Sequence, residues 1–255
     1  MVAFGKRNGL AYGLLGLPLA FAGLPLYVIL PNHYAKEFGV PLASLGAILL
    51  GARLFDAFID PLLGRLSDRL FARSANSVLV AGAAAAAVLA LGFALLFFPQ
   101  DKSLNALVVW ASVMLVVTYA AYSFLSIAHQ SWGAMLGGNE AERSRIVAWR
   151  EGLGLVGVVL ASIAPLALGL SATTALFFIA LGIGWLAWTR AVKPVAKAAQ
   201  EVDKKAIWQP FKHTNFKRLL AVFMLNGIAS AVPATLVLFF IQDRLQAPSS
   251  MEPLF

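Results

Sequence analysis

Seven apolar runs alternate with polar segments along the chain, at 9–30, 42–63, 76–98, 104–130, 145–169, 172–192 and 217–241. Each is close to the twenty or so residues needed to cross roughly 30 Å of hydrocarbon, so the pattern predicts seven membrane helices, spans 1 to 7. The first run is too long, and too closely followed by a second, to be a cleaved signal peptide. Spans 1 to 6 follow one another through short loops. A polar stretch, KPVAKAAQEVDKKAIWQPFKHTNF, then separates them from span 7. The expected organisation is a six-helix bundle over 1–192, a cytoplasmic linker over 193–216, and a first helix of an incomplete second bundle over 217–255. A lone helix after a long linker has little to pack against, so the sequence reads as an incomplete chain, with a finished seven-helix protein as the alternative.

Composition agrees with the pattern. The 255 residues are 60% hydrophobic and 13% charged, whereas soluble domains carry about 25% charged residues. An all-α membrane protein is expected. The absence of cysteine excludes disulfides and thiolate metal sites. A net charge of +8 does not point to nucleic acid, because the basic residues lie between apolar runs and not on a soluble face. They report orientation instead. Lys6, Arg7, Arg65, Arg69, Arg73, Arg143, Arg145 and the eight basic residues between Arg190 and Arg218 fall on one side of the weave, against Lys36, Lys102 and Arg244 on the other. Cytoplasmic loops hold such an excess, which places the N-terminus in the cytoplasm.

Span 2 contains Arg53, Asp56 and Asp60. Each charge at mid-helix costs about 2.5–3.5 kcal/mol, while a Leu, Ile or Phe returns only about 0.3–0.6 kcal/mol, so three charges offset most of the segment's apolar gain. At about 100° per residue the three fall within an arc of about 60°, on one face. That face must look into protein or a water-filled cavity. One reading is a structural salt bridge from Arg53 to either acid. The other is that two carboxylates one turn apart hold a small cation or share a proton, making span 2 an ion-coupling element.

Other polar residues suggest how such an ion could be tied to a solute. In span 4, Thr118, Tyr122 and Ser126 recur every fourth residue and His129 and Gln130 extend the stripe, as expected of a wet cavity face or of interhelical hydrogen bonds. Arg150 in span 5 suits an anionic or hydroxylated solute, or pairing with Glu151. Arg53, Tyr122, His129, Gln130 and Arg150 are accordingly the candidate substrate-binding residues. The loop GRLSDRLFARS places Asp68 among Arg65, Arg69 and Arg73, where charge pairs could clasp an inner gate. Pro18, Gly23 and Pro25 are expected to break or kink span 1. GLGLVG at 152–157 fits a dinucleotide motif but lies within an apolar helix, where close helix packing explains it better. His33, His129 and His213 lack metal-ligand spacing.

The stretch PNHYAKEFGVPLASLGAILLGARLF followed by DAFIDPLLGRLSDR resembles the second helix and following loop of the glycoside–pentoside–hexuronide:cation symporters, the melibiose permease group of the major facilitator superfamily. The resemblance extends over 9–247 as a pattern of helices and loops, and is specific in span 2 and its loop. It implies a transporter of two six-helix halves in the bacterial inner membrane, of which this chain would be the N-terminal half plus one helix. It also implies symport of a sugar or related small solute with H⁺ or Na⁺, without a cofactor. By similarity Asp56 and Asp60 match the acids that bind the coupling cation, Ser126 stands where the family has another acid, and Arg150 matches an arginine facing the substrate cavity. Gly64, Asp68 and Arg69 match the loop between the second and third helices. The first helix lacks the acid that sugar-binding members carry there. The remaining alternatives are a non-transporting fragment and a seven-helix receptor or sensor. A retinal sensor would need a lysine deep in span 7, and 219–241 contain none. Neither a nucleophile with its base nor a metal set suggests an enzyme.

Overall fold

A computed structural model describes residues 5–194 and 210–246, which divide by contacts into one unit over Met1–Lys197 and another over Ala198–Phe255. Most of the linker segment 193–216, and the tail after Gln246, lie outside the described residues. Among those described there is helix and no strand.

Span 1 is a broken helix: α1 (Lys6–Gly13), α2 (Gly16–Leu24), a π-helical turn (Pro25–Ile29) and α3 (Leu30–Phe38). Pro18 explains the first break, because its ring clashes with the carbonyl of Leu14 and it has no N–H to bond it. The chain adapts by tightening, with Leu17 N–H bonded to Leu14 O at 3.3 Å. Pro25 and Pro31 bracket the π turn, which ends with Leu30 N–H bonded to Pro25 O. Gly23 stays helical. Gly39, at φ 67°, ends α3, and Val40 N–H reaches back to Tyr34 O at 3.1 Å.

The next helix, α4 (Leu42–Arg73), corrects one expectation. The segment GRLSDRLFARS is the last turns of this helix and not a loop, and Pro61 is accommodated within it. Hydropathy reports where the chain leaves hydrocarbon, while backbone hydrogen bonding continues into the polar region beyond. Ser74 alone makes the turn. Its Oγ accepts from Ser77 N–H at 3.0 Å and caps α5 (Ala75–Phe97). The α5–α6 loop ends where Asp101 accepts from Ser103 N–H at 2.8 Å, a bond that also holds the Asp101 carboxyl below its ordinary range. Ser103 then opens α6 (Leu104–Met135).

Spans 5 and 6 form α7 (Glu140–Thr189), opened by an Asn139–Glu142 capping box. Fifty residues would be about 75 Å of straight helix, far more than one crossing needs. The chain doubles back at Gly169, whose φ of 79° and ψ of 166° only glycine adopts readily. The reversal is visible in what α2 touches. A Cβ added to Gly157 would collide with the Leu17 carbonyl, and one added to Gly184 would lie 3.0 Å from Leu15 Cα and 3.2 Å from Pro18. Residues on either side of Gly169 thus reach the same stretch of α2, which lies between the two arms of α7. Phe21 and Phe93 both pack on Phe177, at 5.9 and 4.5 Å between ring centroids, joining α2, α5 and α7.

Among the described residues five helical stretches are long and apolar enough to cross a membrane, Glu140–Thr189 counted as one. Span 7 falls on α8 (Thr214–Phe239), in the second unit.

The glycines of GLGLVG differ in what they touch. Gly152 has nothing within 4 Å of an added Cβ, whereas Gly157 has no room for one against Leu17. Gly157→Ala is expected to lower stability by about 1–3 kcal/mol through overpacking, and Gly152→Ala to raise it by up to about 1 kcal/mol through helix propensity. Unfolding of the two variants in detergent checks this pair.

Candidate functional site

Asp56 is buried at 9% exposure, Asp60 is half-buried and Arg53 is exposed, all on α4. One oxygen of each carboxylate, Oδ1, is shielded from solvent and has no hydrogen-bond partner. Ser126 Oγ on α6 is in the same condition. These are the three residues expected to hold a coupling cation. Shielded oxygens lacking donors are costly, and among the described residues Ser67 Oγ and Thr118 Oγ1 are in the same condition.

Arg53 is one turn from Asp56 and does not fill that role. Among the described residues the ion pair within 4.0 Å is Arg150 with Glu151. The Arg53 guanidinium lies instead over the Tyr27 ring, 3.9 Å from its centroid, and 5.7 Å from that of Tyr119. The two rings are 5.4 Å apart, and Tyr119 O–H donates to Leu26 O at 3.5 Å, inside the π turn of span 1. An exposed cation–π contact is worth about 0.5–1 kcal/mol, and an exposed ion pair about 0–1 kcal/mol.

The polar stripe of α6 does not line one cavity. Thr118 is fully buried against α5, its Oγ1 so near Gly92 that an added Cβ would strike it. Tyr122, half-buried, lies in the electrostatic neighbourhood of Arg53, Tyr27 and Ser126. His129 is 1% exposed and bonded reciprocally to α1. Its Nε2 donates to Tyr12 O at 2.8 Å, and Tyr12 O–H donates to His129 O at 3.1 Å. With the proton on Nε2, the ring's Nδ1 is the acceptor and has no partner. Trp188 closes the other side, 5.6 Å from the imidazole, and itself packs on Trp132 at 5.2 Å. This is the interhelical geometry that the sequence left open beside a cavity role.

Gln130 and Arg150 come together elsewhere. With Tyr12 and Arg143 they line a cleft of about 560 Å³ between α1, α6 and α7. That volume lies within the roughly 300–1,000 Å³ typical of small-molecule sites. Arg150 also donates from Nε and Nη2 to Glu151 Oε1, at 2.9 and 2.5 Å. Asp68 and Arg69 are exposed on the last turns of α4, and Gly64 has open space beside it. Sequence reasoning missed Tyr27, Tyr119 and Arg143. The two tyrosines counted as apolar bulk, and Arg143 as a topology signal.

A profile described as MFS/sugar transport protein matches residues 11–254. The chain belongs to that family. It is similar to the inner membrane symporter YicJ of Escherichia coli (strain K12), 22% identical over 261 residues that cover 95% of this chain and 55% of YicJ. It is also similar to YagG of the same organism, provisionally named a glycoside/cation symporter, at 25% identity over 62% of this chain and 34% of YagG. A Salmonella typhimurium protein provisionally named a sulfoquinovose importer is 27% identical over 71% of this chain and 37% of its own length. The chain spans from about a third to just over half of the length of these relatives. It is thus a multi-pass membrane protein of the major facilitator type, and its named relatives are transporters.

The bonding of His129 has a measurable counterpart. Tyr12→Phe is expected to cost about 0.5–1.5 kcal/mol, the worth of one hydrogen bond. His129→Ala, which also empties a packed site, is expected to cost about 2–4 kcal/mol. Unfolding midpoints near wild type for both would show that the pair does not hold α1 to α6.

Proposed function

We propose that this chain is the cation-coupling half of a symporter, in which H⁺ or Na⁺ held by Asp56, Asp60 and Ser126 drives a small hydrophilic solute by alternating access. The observation that carries the reading is the unpartnered oxygen on each of the two carboxylates, one turn apart on α4 beside a base that does not bond them. Two carboxylates and a hydroxyl are hard oxygen donors, suited to a small cation or a shared proton. The symporter names of YicJ and YagG support the same reading.

For the solute, Gln130 and Arg150 in the 560 Å³ cleft, with Arg53 and Tyr122 near the acids, are the candidate contacts. His129 would act from behind, by fixing α6 against α1. A sugar or related polyol is the substrate class, since Arg and Gln side chains supply donors that hydroxyls accept. Gly64, Asp68 and Arg69 would serve an inner gate, their charges pairing in one of the two access states. The lysine and arginine excess supports a cytoplasmic N-terminus, and the name of YicJ an inner-membrane location.

In a full-length transporter that contains this half, Asp56→Asn and Asp60→Asn are each expected to abolish ion-driven uptake in membrane vesicles while leaving the amount of inserted protein unchanged. Uptake at the wild-type rate in both variants would reject the coupling role. Orientation is checked separately, and the lack of native cysteine makes this simple. A cysteine placed at Lys102 should react with an impermeant maleimide from outside intact cells, and one placed at Ser74 should not.

A further inference from the structure

We propose that the end of the N-terminal unit where α3, the α5–α6 loop and the Gly169 reversal meet holds a phospholipid whose headgroup carries both a primary ammonium and a phosphodiester, as phosphatidylethanolamine does. This site is separate from the acids of α4 and from the arginine cleft, and it stands whether or not the transport reading does.

A cavity of about 290 Å³ opens there, lined by His33, Glu37 and Phe38 of α3, Phe98 and Lys102 of the loop, and Leu170 just past the reversal. Its floor is aromatic and fixed. The His33 ring stands edge-on to Phe38 at 5.1 Å between centroids, and 6.0 Å from Phe97, which is 2% exposed. Tyr34 O–H donates to Leu96 O at 2.8 Å and ties this part of α3 to α5. Beside the floor stand one acid and one base, both exposed. Among the described residues no ion pair within 4.0 Å joins Glu37 to Lys102, and the Lys102 ammonium lies 5.9 Å from the Phe38 centroid. Opposite charges that flank an apolar floor without meeting suit a ligand that carries both signs. His33 Nε2, in the wall, is shielded and has no hydrogen-bond partner, a cost that a ligand oxygen beside it removes.

Depth decides which zwitterion. The apolar run of span 3 ends at 98, that of span 4 begins at 104, and those of spans 5 and 6 part at 169–172. The cavity therefore lies where hydrocarbon gives way to headgroups. Phe98 and Leu168 beside it are 40% and 59% exposed, a surface that acyl chains cover. The molecule at hand at that depth is a phospholipid. Glu37 can accept from a primary ammonium, which has three N–H donors, and not from a trimethylated one, which has none. Lys102 pairs with the phosphodiester. A purely anionic headgroup would set like charge against Glu37. A lipid so held joins α3 to the loop and the reversal, and binding to the folded state alone raises stability.

The test follows the unfolding midpoint of the purified chain in dodecyl maltoside as dioleoyl lipids are added. Dioleoyl phosphatidylethanolamine is expected to raise the midpoint to a plateau. The phosphatidylcholine and phosphatidylglycerol of the same chains should need about three- to tenfold higher concentration, the scale of one hydrogen bond partly open to water. Glu37→Gln should erase the preference for ethanolamine over choline, and Lys102→Gln should weaken the response to both. Both side chains are exposed, so neither substitution threatens the fold. Asp101→Asn and Lys36→Gln make the same charge changes at exposed neighbours that do not line the cavity, and should keep the wild-type preference.

Equal responses to ethanolamine and choline lipids in wild type would overturn the proposal, as would a preference that survives Glu37→Gln. A preference lost to the same extent in Asp101→Asn would trace it to net charge and overturn the site. A midpoint raised by methyl glucoside through Glu37 and Lys102, and by none of the lipids, would assign the cavity to a soluble solute and overturn the lipid.

Discussion

The cost of a carboxylate in hydrocarbon governs how the N-terminal unit is arranged. Asp56 and Asp60 lie on α4 within a stretch of Leu, Phe and Ile that lipid would otherwise accept, and lipid supplies no donor to their oxygens. A structural protein would satisfy them with Arg53, already on the same face. In this chain the base is diverted onto an aromatic pair and the oxygens keep no fixed donor. Such an arrangement is costly as architecture, because each shielded oxygen forgoes the hydrogen bonds that water would supply.

The two polar regions share one element. Along α6, Tyr122 lies near Arg53 and Ser126, and Gln130 lines the cleft with Arg150. Four residues separate Ser126 from Gln130, about 6 Å of helix rise. Between them His129 is clamped by Tyr12 on one side and Trp188 on the other. Straight helices do not bend over a single turn without a proline, glycine or bulge, and α6 has no proline. Displacement at Ser126 is therefore carried to Gln130 and the cleft as motion of one rigid body.

Much of the fold is legible in the sequence, and the rest is hidden for specific reasons. The reversal between spans 5 and 6 showed as the gap around Gly169, because a membrane chain that turns must interrupt its apolar run. The end of α4 was missed because its final turns are polar, and polarity ends a span without ending a helix. Four-residue spacing predicts a single face for the stripe on α6. Successive members advance about 40° around the axis, enough in a crowded bundle to point Thr118 at α5 and His129 at α1. Tyr27 and Tyr119 gave no sign at all. An aromatic ring adds to the apolar count of a span, and only the guanidinium above it reveals a second use.

Span 1 joins a fixed part to a yielding one. Its α2 segment is fixed, since Gly157 and Gly184 bring both arms of α7 against Leu14, Leu15 and Leu17 with no space to slide. Beyond Leu24 the ordinary helical bonds give way to the π turn, and Pro25 and Pro31 remove two donors that would oppose a change of register. The same span therefore contains a clamped part, which touches the arginine cleft through Tyr12 in the preceding α1, and a yielding part, which holds Tyr27 and the Leu26 carbonyl. Strain arriving from either end concentrates where the bonding is weakest. That place is the π turn, which carries Tyr27 beneath the Arg53 guanidinium.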